Sequence, residues 1–130
     1  MNPTGVTICL SEYAVKETID RLEAFLRQHG VTIYARIDQK LELEKTGQTI
    51  RPLEFLLFGN PNAGGPVMIE NPIAALDLPL KIIAWEDIDQ KVWVAYNKGS
   101  YVKERFSLSD SVSAALNLDV VVAKAFEQSI

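Results

Sequence analysis

Leu53-Glu54-Phe55-Leu56-Leu57-Phe58, running straight into Gly59-Asn60-Pro61-Asn62-Ala63-Gly64-Gly65-Pro66, decides how this chain reads. With a two-residue period, Phe55 and Leu57 point one way and Leu56 and Phe58 the other, so apart from Glu54 the strand is apolar on both faces. The glycines and prolines that follow predict a break in regular structure. Two later stretches repeat the doubly apolar pattern. In Leu80–Trp85, Ile82 and Ala84 oppose Ile83 and Trp85. In Val92–Tyr96, Val92, Val94 and Tyr96 oppose Trp93 and Ala95. Between them, residues 86–91 form a polar hairpin connection. An antiparallel sheet with one wet face alternates apolar and polar residues, and these strands do not. Helices can cover one face. The other requires the 61–79 segment, a partner chain or a ligand.

Outward from this centre, Val6–Leu10 places Val6, Ile8 and Leu10 opposite Thr7 and Cys9, and Val31–Ile37 places Ile33, Ala35 and Ile37 opposite Thr32, Tyr34 and Arg36. Both read as strands. Between them Val15, Ile19, Leu22 and Leu26, widened by Phe25, form a helical stripe. Ser11 stands where its N-cap belongs and Gly30 where its C-terminal stop belongs. Near the other end, Ser109 is expected to cap a second long helix through Val112, Ala115, Leu118, Val122 and Phe126, with Val121 and Ala125 widening it. Short helical turns are expected at Pro66–Glu70, Pro72–Leu76 and Tyr101–Phe106, and residues 38–52 have room for another but receive no firm element. The reading is an α+β domain: an antiparallel sheet of about five strands with two long helices on one face. No repeat or linker divides the chain, so residues 1–130 form one domain.

Composition excludes several classes of function. The chain has 130 residues, 48% of them hydrophobic and 23% charged, which is ordinary for a folded protein. A net charge of −4 argues against a general nucleic-acid binder. No purely apolar run approaches the roughly 20 residues of a membrane span, and no signal-peptide pattern opens the chain, so the expectation is a cytoplasmic protein with no membrane partner. One cysteine and one histidine exclude an internal disulfide and the paired-ligand zinc motifs, so no metal ligand and no cofactor is assigned.

Gly59 through Gly64 has the G-x-x-x-x-G half of a phosphate-binding loop, but Gly65 and Pro66 stand where Lys and Ser/Thr are required, which excludes an NTPase. Main-chain amides at a helix start leave a weaker anion or ligand site, against the plainer reading of glycines that serve a turn. His29 reads as a helix-end residue and Cys9 as a buried, inert thiol. Glu86, Asp87 and Asp89 read as a solvated turn rather than a cation site. Asp77 reads as a turn cap or a backbone partner, and Lys81 as either a pocket cation or an edge charge. Trp85, Trp93 and Tyr96 read as core or interface anchors. The candidate ligand site is Gly59, Asn60, Gly64 and Gly65, with Lys81 and Trp85 expected to line the same cleft. No catalytic residue is assigned.

These residues resemble the domain of unknown function 302 family. The motifs that carry the resemblance are Phe58-Gly59-Asn60-Pro61, the run Asn71-Pro72-Ile73-Ala74-Ala75-Leu76-Asp77-Leu78-Pro79-Leu80-Lys81, and Trp85-Glu86-Asp87 leading to Lys91-Val92-Trp93-Val94-Ala95-Tyr96-Asn97. The resemblance is strongest over about residues 6–108. It implies a fold like the TATA-binding-protein half-domain, a homodimer and a bacterial or archaeal source, and no activity. Many relatives carry a histidine after the aspartate that follows the second strand, whereas here Gln39 follows Asp38. Three functional readings stand at this point: a non-catalytic homodimeric domain that binds a small ligand or a protein partner, an enzyme with a carboxylate and lysine site near Gly59–Gly65, and a purely structural interaction module.

Overall fold

In the computed structural model, which describes residues 2–127, five strands form one antiparallel sheet in the order β1-β5-β4-β3-β2. They are β1 (Val6–Ser11), β2 (Thr32–Asp38), β3 (Leu53–Gly59), β4 (Leu80–Glu86) and β5 (Val92–Asn97). The last four are sequential neighbours, and β1 closes the sheet by pairing with β5. The helices are α1 (Val15–Gln28), α2 (Gln39–Glu44), α3 (Pro61–Glu70), α4 (Gly99–Arg105), α5 (Asp110–Ser113) and α6 (Asp119–Glu127), with 3₁₀ turns at Pro72–Asp77 and Ala114–Leu116.

The apolar stripe of α1, with Ile19 and Leu22 wholly buried, packs on Leu56, Phe58, Ile82, Ala84 and Val94. Leu118, Val122 and Ala125 complete this core. A second, smaller core joins Val67, Ala74, Val102, Phe106, Leu108 and Leu116. It is made by the 61–79 segment with α4, α5 and the adjoining 3₁₀ turn. That segment therefore builds its own core with the C-terminal helices and does not blanket the second face of the sheet. Along β4 burial alternates: Ile82 and Ala84 are fully buried, whereas Ile83 and Trp85 stay half-exposed. Trp93 and Ile8 are also half-exposed, and Leu10 is 56% exposed.

Several local expectations are corrected. Helix α1 begins at Val15, with Ala14 at its N-cap. Ser11 remains in β1, where its hydroxyl accepts the Tyr13 N–H and meets Thr18 Oγ1 at 2.6 Å. Gly30, at φ 74°, does close the helix. Residues 39–44 form α2, because Asp38 accepts the Leu41 N–H as a cap. The predicted break after Gly59 is a helix start: Asn60 caps α3, Pro61 takes the first position, and Gly64, Gly65 and Pro66 lie inside the helix. The long C-terminal helix is interrupted at Asn117, whose side chain accepts the Asp119 N–H at 3.0 Å, a local bond that competes with helix. The stripe is thereby shared between the two cores.

Strand β2 also departs from simple alternation. Ile33 pairs with Phe58 and Ala35 with Leu57, so Tyr34 is an extra residue. This bulge shifts Arg36 toward α1.

Candidate functional site

Strand β3 ends at Gly59, and α3 begins at Pro61. Beside this junction lies a cavity of about 250 Å³. Leu26 and Val31, from the end of α1 and beyond it, form one wall, and Phe58 and Leu80 of the sheet contribute another. Met68 of α3 and Leu116, Leu118 and Val121 of the C-terminal segment line it as well. The Leu78–Pro79 peptide, also lining it, is cis. None of the lining residues carries a charge.

Polar groups reach this cavity from three places. The bulge sets Tyr34 at its rim, close enough that a Cβ on Gly59 would stand 3.5 Å from the ring. Asn60 lines it while its Oδ1 accepts the Asn62 N–H at 2.9 Å. Asn117 lines it from the break before α6. Tyr34 and Asn117 had no role in the sequence reading. The bulge is invisible in the pattern of β2. Asn117-Leu118-Asp119 was a usable signal, since an asparagine two residues before an aspartate N–H can cap a helix.

The structure brings Gly59, Asn60 and Gly64 together on this cavity and leaves the other candidates elsewhere. Gly65 lies in α3 but does not line it. Lys81 is on the opposite side of β4 from Leu80, with its ammonium 4.4 Å from the centre of the Phe55 ring. It borders a separate depression with Asp77 and Asn97. Trp85 pairs with Trp93 toward the far end of β4. The shared cleft expected from strand order is therefore absent for Lys81 and Trp85. Nor does a turn requirement account for the glycines. Positive φ occurs at Gly5, Gly30 and Gly47, not at Gly59, Gly64 or Gly65. A Cβ at Gly64 would meet nothing within 4 Å.

The remaining polar groups have structural partners. Arg36 donates to Asp20 at 2.6 Å, Glu23 at 3.1 Å and Glu54 at 2.9 Å, and Glu54 is only 8% exposed. Burial alone would raise Asp20 and Glu23. Hydrogen bonds from Arg36, with Lys16 on Asp20 and Arg27 on Glu23, outweigh it and hold both carboxyls below their usual range. The Tyr96 hydroxyl donates to Asp119 at 2.7 Å, and burial, then this contact, pushes its ionisation far up. Burial, with Asp119 adding to it, also raises the Cys9 thiol, the reverse of what a nucleophile needs. His29 Nδ1 lies 2.9 Å from the Phe25 carbonyl, and its ring stacks on Phe25. Asp77 pairs with Arg105 at 3.0 Å rather than with backbone. Asp87 accepts from the amides of Asp89 and Lys91 and, at 2.8 Å, from Trp93 Nε1, which makes it the organiser of its hairpin. Among the described residues no group of three or more His, Cys, Asp or Glu could hold a metal ion.

Residues 7–125 match the family model described as Domain of unknown function DUF302. Fluoride-specific ion channel FluC 1 of Brucella suis biovar 1 is 33% identical over 113 residues, covering 87% of this chain and 44% of that protein. FluC 2 of Brucella melitensis biotype 1 matches at the same identity, over 42% of its length. The chain thus spans less than half of the curated relatives it matches. The crystal structure of an uncharacterized conserved DUF302 protein from Bacillus stearothermophilus superposes with a TM-score of 0.79 at 19% identity, covering 96% of this chain and 98% of that one.

Proposed function

The chain belongs to the DUF302 family, and from that premise we propose that it is a non-catalytic domain that holds a small ligand in the cavity at Gly59, Asn60 and Gly64. The cavity carries this reading: an apolar recess with a few convergent polar groups is the usual form of a small-molecule site, and its 250 Å³, just below the roughly 300–1,000 Å³ of drug-sized sites, suits a smaller molecule. The enzyme reading has less support. Lys81 stands away from the cavity, and the carboxylates Asp20, Glu23 and Glu54 are engaged by Arg36. The test is an unbiased ligand search by native mass spectrometry on the purified chain. A bound small molecule in the wild type that is lost in Gly64→Leu supports the reading. An empty wild type, with no cavity amide moved by any compound in an NMR screen, overturns it.

A second observation favours a homodimer. The half-exposed face carrying Ile8, Leu10, Ile83, Trp85 and Trp93 is a contiguous apolar surface of the kind that marks interfaces. The Trp93 indole N–H is already bonded to Asp87, so this face offers apolar contact without an unmet donor there. Sedimentation at micromolar concentration is expected to give roughly twice 14.5 kDa. A monomer at that concentration would remove the dimer reading.

A further inference from the structure

Building on the cavity reading above, we propose that this site takes a neutral molecule with an apolar body and one hydrogen-bond-accepting end, such as a ketone or ether oxygen. Neutrality follows from the lining. No charged side chain borders the cavity, and an unpaired charge in apolar surroundings is strongly disfavoured. The start of α3, which opens beside the cavity and is where an anion would be received at this junction, is already used. Pro61 has no N–H, Asn62 donates to Asn60 Oδ1, and Ala63 and Gly64 both donate to the Asn60 carbonyl at 2.9 and 2.8 Å. Its first-turn donors are thus partnered within the chain, which leaves the helix start without the free amides an anion site needs.

The accepting end follows from two amides. Asn60 and Asn117 both line the cavity, and each commits its carbonyl oxygen to a main-chain N–H, that of Asn62 or Asp119. That fixes which way each amide faces and leaves its NH2 group as the available donor. The Tyr34 hydroxyl at the rim can donate or accept. The three polar side chains at the cavity can therefore each donate, and they favour a ligand with an acceptor. An apolar cavity of about 150 Å³ holds benzene, so this space suits a body of about ten non-hydrogen atoms.

The test uses 2-nonanone, nonanoate and nonylamine, three probes of one chain length, titrated into the full chain by 1H–15N NMR. The ketone is expected to shift the amides of Gly59 and Gly64 and to bind at least about tenfold more tightly than either charged probe. Asn60→Ser and Asn117→Ser keep a capping oxygen and add no charge but remove the NH2 donor, and each is expected to weaken 2-nonanone by about fivefold. Ketone affinity unchanged in both variants would overturn the accepting end. Nonanoate or nonylamine binding as well as the ketone would overturn neutrality and leave the cavity reading standing. If none of the three probes moves a cavity amide in the wild type, the proposed class is overturned. A ligand found by mass spectrometry would then keep the cavity reading alive, and its absence would end that as well.

Discussion

Ile82 and Ile83 are adjacent residues of the same type in the same strand, yet they live in different surroundings. Ile82 is fully buried against α1 and the C-terminal helix, whereas Ile83 looks out on the other face, half-exposed between Ala95 and Phe55 in the neighbouring strands. The second face is not uniformly open, since Phe55 and Ala95 on it are buried, but Ile83, Trp85 and Trp93 keep exposed surface that their counterparts on the α1 side do not. Both faces were built apolar, but only one is covered by the chain's own helices. Local sequence pattern therefore specifies that both faces need partners, while the connections decide which face receives one. The 61–79 segment is long enough to serve the second face and instead closes a separate core with α4 and α5.

The largest expected effect contrasts these two residues directly. Ile82→Ala should destabilise the fold by about 2–5 kcal/mol in urea denaturation, at any protein concentration. Ile83→Ala should cost about 1 kcal/mol or less in dilute protein, and more as concentration rises if a second copy covers it. Equal, concentration-independent costs would erase the distinction between the faces.

Next in size is the ion cluster beside α1. Arg36→Met leaves Glu54 without its partner in a nearly dry setting, and a loss of about 3 kcal/mol is expected. Acid titration sharpens this. Asp20 and Glu23 have lowered pKa values in the fold, so they contribute stability above their unfolded values and lose it as pH falls through the folded ones. Wild-type stability should therefore fall on acidification below about pH 5, and more gently in Arg36→Met, as followed by melting at stepped pH. A steeper acid loss in the variant would contradict the assignment.

A smaller change in stability is expected from Trp93→Glu on the open face, together with a shift in sedimentation from dimer to monomer. A variant that stayed dimeric would locate the interface elsewhere. Smallest, and opposite in sign, Gly64→Leu should raise the melting free energy by about 0.5–1 kcal/mol. It replaces glycine inside a helix, where a Cβ meets nothing within 4 Å, and puts a side chain at the cavity wall. Lowered stability would show that the cavity is narrower than its lining indicates.

All five strands were legible because their two-residue period is dense in Val, Ile, Phe and Trp, and the need for cover on two faces was legible for the same reason. Where glycine and proline were weighed by propensity alone, the reading failed. The start of α3 is announced by Asn60-Pro61, a cap and a first-turn proline, and that signal outweighs Gly64, Gly65 and Pro66 within the helix. The interruption at Asn117 depends on a side-chain bond that a continuous apolar stripe hides. Of the cavity lining, Gly59, Asn60 and Gly64 were legible because they sit at and just beyond a strand end. Lys81 was misplaced although its alternation with Leu80 and Ile82 already puts it on the other face. Tyr34 and Asn117 arrive through a bulge and a helix break, neither of which leaves a periodic trace.

The bulge at Tyr34 makes residue count, not residue identity, the inherited quantity in β2. Removing Tyr34 would restore an uninterrupted pairing with β3 but would turn every residue on one side of the deletion over. Either Arg36 would leave the carboxylates of α1 and Glu54, or Ile33 would leave the core beside Phe58. Replacing Tyr34 by a small residue changes only what stands at the cavity rim. In this strand a one-residue deletion is therefore the severe change and the loss of an aromatic ring the mild one, so natural variation should permit many residue types at position 34 and very little variation in length between Thr32 and Asp38.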